Sequence, residues 1–288
     1  MDYVSPPELM ADAVELGKRK AALPIRDMLL RGTLAGVLLG YATALVLVVL
    51  GQNLPPIVGA ALFPAGFVIL VLLGFELVTG NFALLPAAVL SSQVSWGKLL
   101  RNWGWVYLAN LIGSVLFAFL FYLAVTNFGT SNGGPLGDQV RQLAQKKTLA
   151  YMAMGGKGWG LALVKGFLCN WMVTLGAMLA LASRSTLGKI AAMWLPIMIF
   201  FALGYEHSVV NMFLIPAGMM LGAPVSLSQW WFWNQLPVTL GNMLSGALCT
   251  GAALYLTYAA KPKLIVVEDE VEIPERVPAT VHSQADAV

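Results

Sequence analysis

Runs of apolar residues separated by short polar stretches fill the chain from about residue 28 to residue 260. A helix needs roughly 20 such residues to cross the hydrocarbon of a bilayer. Four runs, about 28–50, 104–126, 159–182 and 237–260, read as ordinary spans. Two others, about 57–91 and 188–222, are too long for one span, and each is interrupted near its middle, by GFELVTGN (74–81) and GYEHSVVN (204–211). Both interruptions begin with Gly, an aromatic residue and Glu, and both end in Asn. Read as broken spans, they give six crossings in two sets of three whose middle members match, as in inverted-repeat transport proteins. Non-helical backbone at mid-membrane depth persists only where it is buried in protein or lines a polar cavity. The two breaks are therefore expected to face a pore.

The flanks divide the chain further. Leu9, Met10, Val14, Leu16 and Leu23, set among Glu8, Asp12, Glu15, Lys18, Arg19 and Lys20, predict an amphipathic helix lying along the membrane surface within 1–26. A transmembrane domain follows over 27–260, and the charged, Pro-containing stretch 261–288 reads as a flexible tail. Composition agrees with a membrane protein. Of 288 residues, 58% are hydrophobic and 11% charged, which a soluble domain would match only with an improbably large dry core. A net charge of +3, without a basic stripe, excludes a nucleic-acid surface. Cys169 and Cys249 lie in apolar runs with no partner at ligand spacing, so no metal or other cofactor is expected. Twelve of the 17 Lys and Arg fall on the side of the two termini, four on the other side, and Lys165 within a span. By the positive-inside rule this predicts a multi-pass protein of the cell (inner) membrane with both termini cytoplasmic. The four outer cations, Arg141, Lys146, Lys147 and Lys157, crowd into 127–158, a candidate basic vestibule.

Few ionisable groups lie within the spans: Glu76, Lys165, Glu206 and His207. Placing such a group in the membrane is expensive, so each is a candidate functional residue. A carboxylate beside an anion path would repel the anion, and Glu76 and Glu206, with Asn211, are better read as holding the loops by accepting the freed amides of the broken helices. Half-helix N-termini direct unpaired N–H groups and partial positive charge into the gap. Two such ends favour an anion over a cation. Thr79 offers a hydroxyl and Asn170 an amide to an oxyanion; equally, Thr79 caps its half-helix and Asn170 ties two spans together.

GFELVTGN, KGFLCNWMV (165–173), GYEHSVVNMFLIPAGMM (204–220) and LPVTLGN (236–242) together resemble the formate/nitrite transporter family over about residues 6 to 260. The resemblance implies an all-α, aquaporin-like protomer of six transmembrane helices, with the second and fifth broken, assembled as a homopentamer in which each protomer holds its own pore. It implies passage of formate, nitrite, bicarbonate, hydrosulfide or related monovalent anions, together with a proton. His207 matches the family's central pore histidine, Thr79 the threonine of the first loop, and Asn170 the asparagine facing it. Phe63 and Phe200 would form the outer constriction and Phe67 the cytoplasmic one. Relatives carry a vestibule lysine shortly before the fourth span; this chain has extra residues there, KKTLAYMAMGGKGWG (146–160), so that Lys147 and Lys157 compete and Lys157 is preferred, while Lys165 lies close to where relatives often have a basic residue.

In physical terms, a hydrated anion crosses an apolar constriction only at a desolvation cost of several kcal/mol. Losing water makes a carboxylate a better base. An anion drawn in by the basic loop would thus share or take a proton at His207. An intramembrane enzyme using Glu206 and His207 lacks a second histidine within the spans, His282 being in the tail, and lacks a nucleophile motif and a metal set. A neutral-solute pore would not need the basic loop and lacks paired Asn-Pro-Ala loops.

Overall fold

The computed structural model describes residues 2–259; the expected tail lies outside them. Among the described residues the chain is helical throughout, apart from one isolated bridge between Tyr3 and Ser183. A short α1 (Pro6–Ala21) leads into α2 (Ile25–Gly51). The first broken span is α3 (Pro56–Leu62), α4 (Pro64–Leu72) and, after the interruption, α5 (Val78–Leu90). α6 (Trp96–Val125) completes the first half. The second half repeats this order with α7 (Gly134–Ala153), α8 (Gly156–Leu179), the broken span α9 (Thr186–Ala202) and α10 (Ser208–Met220), and a final crossing. Helices α2, α6 and α8 are each long and apolar enough to cross a membrane.

Two elements differ from expectation. The last crossing is α11 (Leu227–Trp230), α12 (Leu236–Ser245) and α13 (Ala253–Tyr258), joined by π-helical stretches at Trp231–Gln235 and Gly246–Ala252. A π turn re-aims the residues around it, and here Asn234 and Gln235 are buried. The basic loop is mostly the helix α7, which packs on α10 as α1 packs on α5. Each half is therefore one peripheral helix and three crossings. An odd number of crossings sends the two halves through the bilayer in opposite senses.

α1 is amphipathic, but protein covers its apolar face. Met10, Ala13 and Ala21 are buried, and a Cβ on Gly17 would stand 2.3 Å from the Leu84 carbonyl oxygen of α5. The chain ahead of it is clamped to the α8–α9 connection. The Asp2 carboxylate accepts from the Ser183 hydroxyl at 2.9 Å and from the backbone N–H groups of Arg184 and Ser185 at 2.8 and 2.6 Å. The Ser183 hydroxyl, with the Ser185 amide, holds the Asp2 carboxyl below the usual carboxylate range. The clamp is thus charged at neutral pH and lost only as pH falls through that lowered value.

Close helix crossings are made by small residues, as in other membrane bundles. A Cβ on Gly241 of α12 would lie 2.1 Å from the Leu163 carbonyl oxygen of α8. Gly241→Ala must therefore push α8 and α12 apart, at a cost of about 1–3 kcal/mol. We expect a lower unfolding temperature in detergent; an unchanged one would mean that the crossing has slack.

Candidate functional site between the two helix breaks

Both breaks are built by the same local chemistry. α4 and α9 end in Gly74 and Gly204, which adopt left-handed φ of +68° and +66°. The next amides, Phe75 and Tyr205, reach back to the carbonyls of Leu70 and Phe200 at 2.9 and 3.2 Å. This 6→1 bond closes a helix C-terminus and favours glycine at the left-handed position. Two residues then run extended before α5 and α10 begin, with Leu77 and His207 at the capping positions.

Each extended segment is fixed by a matching set of side chains. Glu76 accepts from Lys20 Nζ at 2.7 Å and from Asn81 Nδ2 at 2.8 Å. Glu206 accepts from Lys147 Nζ at 2.7 Å, Asn211 Nδ2 at 2.8 Å and the Tyr151 hydroxyl at 2.8 Å. Asn81 also donates to Asn102, and Asn211 to Asn234. Both carboxylates are buried, and each is neutralised by a lysine from its peripheral helix.

The expected contact of Glu76 and Glu206 with the freed amides is not made. Each carboxylate turns instead to the Asn five residues on and to the lysine. The amides go to two residues that the sequence reading missed, Asn110 of α6 and Asn242 of α12. Asn110 Oδ1 accepts from the Val78 amide while its Nδ2 donates to the Glu76 and Gly32 carbonyls, at 2.8–2.9 Å. Asn242 does the same for the Ser208 amide and the Glu206 and Gly166 carbonyls, at 2.7–3.0 Å. The signal was present in the paired segments ANLIGS (109–114) and GNMLSG (241–246), which put Asn and a small residue at the same spacing in each half.

Between the breaks, Thr79 Oγ1 and His207 Nε2 lie 3.1 Å apart and join α5 to α10. His207 Nδ1 accepts from the Val210 amide at 3.3 Å. A nitrogen that accepts carries no proton, so the single proton of the neutral ring sits on Nε2, facing Thr79. The Phe200 ring stacks on His207 with centroids 5.9 Å apart, and Phe63 meets Phe200 edge-on and Phe201 face-on. Asn170 Nδ2 donates to the Thr79 and Asn242 carbonyls at 3.1 and 2.7 Å, while its buried Oδ1 has no partner among the described residues.

A cavity opens on each side of this contact. The α1-side cavity, about 410 Å³, is lined by Phe67, Leu77, Glu76, Lys20 and Arg31 among others. The α7-side cavity, about 500 Å³, is lined by Phe200, His207, Glu206, Lys147 and Lys165 among others. The two share no lining residue: His207 and Phe200 line the α7-side cavity, Phe67 lines the α1-side cavity, and Thr79 lines neither. Phe63 is buried behind Phe200 and lines neither cavity. Lys157 is a correction. It is exposed in the first turn of α8 and outside the cavity, because α7 folds the inserted residues into a helix that presents Lys146 and Lys147 instead.

The sequence model of the formate/nitrite transporter family matches residues 7–256. The chain belongs to the formate/nitrite transporter family. A probable formate transporter of Methanothermobacter thermautotrophicus is 34% identical over 89% of this chain and 97% of its own length. Among solved structures, an ion channel of the same family superposes with a TM-score of 0.73 at 29% identity, covering 88% of this chain and 98% of the other. A pentameric formate channel with formate bound gives a TM-score of 0.66 at 27% identity, over 81% and 97%. This formate/nitrite transporter family member is accordingly an all-α, multi-pass membrane transport protein and not an enzyme.

Proposed function

We propose that the chain conducts small monovalent weak-acid anions, formate first among them, through a passage of its own within each protomer of a homopentamer. The protein would sit in the cell membrane with both termini cytoplasmic, so that the α1-side cavity faces the cytoplasm. One observation carries the reading: a hydrogen bond between Thr79 and His207 joins two helix N-termini between two separate cation-lined cavities. Oriented first-turn amides and a hydroxyl at a water-poor constriction suit an oxyanion. The formate-bound pentameric relative supports both the substrate and the assembly.

The constriction needs a way to lower the cost of dehydrating the anion. At rest the ring offers Nε2–H towards Thr79, which frees the hydroxyl proton of Thr79 for the solute. Taking a second proton on Nδ1 requires the ring to release the Val210 amide. The imidazolium is then a short-lived state that reverts by giving a proton to the nearest base, and a stripped carboxylate is such a base. Flux is expected to rise as the pH on the α7 side falls. The test is uptake of formate, nitrite and bicarbonate into proteoliposomes at two pH values. Formate entry that is faster at the lower pH supports the reading. Entry of nitrite or bicarbonate alone would reassign the substrate, and polyol-driven swelling with no anion entry would overturn it.

A further inference from the structure

The α1-side cavity carries a surplus of positive charge and lies on the side where α13 ends. Arg19, Lys20, Arg31 and Lys189 line it against one carboxylate, Glu76, which is already bound to Lys20. Arg19 and Lys189 have no carboxylate within ion-pair distance among the described residues. Arg31 has only a solvent-exposed contact with Asp27 at 3.3 Å, the kind of pair that contributes little. Leu23 and Leu72 give the same wall an apolar part. Helix α13 packs on α1, with Leu254 and Tyr255 against the cluster that holds Met10 and Ala13. The described residues end just beyond it, at Ala259.

The sequence that follows Ala259 complements this surface. Six of the 14 Asp and Glu of the chain lie in 260–288, five of them in EDEVEIPE (268–275), directly after the apolar run LIVV (264–267). Glu268 is nine residues beyond Ala259, a reach of about 30 Å when extended. Helix α1, with 16 residues, is only about 24 Å long, so the acidic run reaches the cavity from the end of α13. We infer that residues 264–275 dock on the α1-side mouth, with their carboxylates on Arg19, Arg31 and Lys189 and LIVV against Leu23 and Leu72, and compete there with the conducted anion. The competition, but not the docking, rests on the anion-conducting reading. Carboxylates on these cations make charge-assisted contacts, and tethering holds their effective concentration in the millimolar range. Free anion at higher concentration displaces them. Entry past α1 is therefore throttled while the anion is scarce and released as it accumulates.

The test compares the full chain with a truncation after Ala260 and with a full-length variant carrying Glu268→Gln, Asp269→Asn, Glu270→Gln, Glu272→Gln and Glu275→Gln. Each is reconstituted in neutral phosphatidylcholine vesicles sorted for one orientation, with formate as the probe. Both variants should lower the half-saturating concentration for entry from the α1 side by about threefold to tenfold, within the range of tethered competition, and leave maximal flux nearly unchanged. Because exposed charge is screened over a few ångströms at about 1 M salt, the difference should vanish there. Separately from flux, a carbodiimide, which joins a carboxylate to a lysine in direct contact, should link 268–275 to Lys189 in the full chain, and peptide mapping should find no such link in Lys189→Gln. Absence of the link together with wild-type half-saturation in both variants would overturn the docking. So would a truncation that changes nothing in neutral vesicles but acquires a raised half-saturation when phosphatidylglycerol is added, since lipid then fills the basic surface. A link with unchanged half-saturation would overturn the competition alone. If no vesicle admits formate while the link is found, the anion-conducting reading fails and the docking stands.

Discussion

Glu206→Ala is expected to give a protein that barely assembles. Removing the carboxylate leaves the largely buried Lys147 ammonium, the Tyr151 hydroxyl and one N–H of Asn211 Nδ2 without their shared acceptor. Breaking a buried ion pair by deleting one partner costs about 3–5 kcal/mol, a large share of the 5–15 kcal/mol that stabilises a typical protein. The double change Glu206→Gln with Lys147→Met should recover much of the loss, because it removes both charges while keeping an amide near Asn211. The measurement is the yield of monodisperse oligomer and its unfolding temperature in detergent. A Glu206→Ala protein as stable as wild type would show that the pair does not hold the second break. Glu76→Ala should follow the same pattern more mildly, since Glu76 has no counterpart to the Tyr151 contact.

The second large effect is at His207. Asparagine is a good N-cap residue and can accept the Val210 amide in place of Nδ1, so His207→Asn should fold normally. Its amide does not titrate, and the rise in flux at low pH should flatten. His207→Phe loses the cap as well, at about 0.5–2 kcal/mol, and loses the donor facing Thr79. Flux should then fall about ten- to hundredfold, the scale of a hydrogen bond to a charged group. Stopped-flow formate entry into proteoliposomes across a pH series separates the two variants. If His207→Asn keeps the wild-type pH profile, the ring has no part in proton handling.

The breaks were legible because their causes are local. Gly74 and Gly204 end a helix, and Glu and Asn in an apolar run stand out by type alone. The sixth crossing was legible as apolar length but not as a π-interrupted helix: the first π stretch packs on α7 and α8 and the second on α5 and α8, elements distant in sequence. Asn110 and Asn242 were missed for the opposite reason to Glu76: each looks like an incidental polar residue in its own helix, and its three backbone partners lie far away in sequence. The helix α7 was missed because its sequence is polar and its stability comes from docking on α10. That omission carried over to Lys157, which is close to the expected place in sequence but not in space.

The correspondence between the halves stops at the centre. Where the second half has His207 and Val209, the first has Leu77 and Thr79, although the surrounding Glu, Asn and Gly match. His207 lines the α7-side cavity, whereas at the corresponding place the α1-side cavity is lined by the aliphatic Leu77. Microscopic reversibility forbids such a lopsided barrier from pumping when concentrations and pH are equal on the two sides. It does allow the two directions to saturate at different concentrations, so a near-mirror scaffold can deliver unequal dose–response curves for import and export.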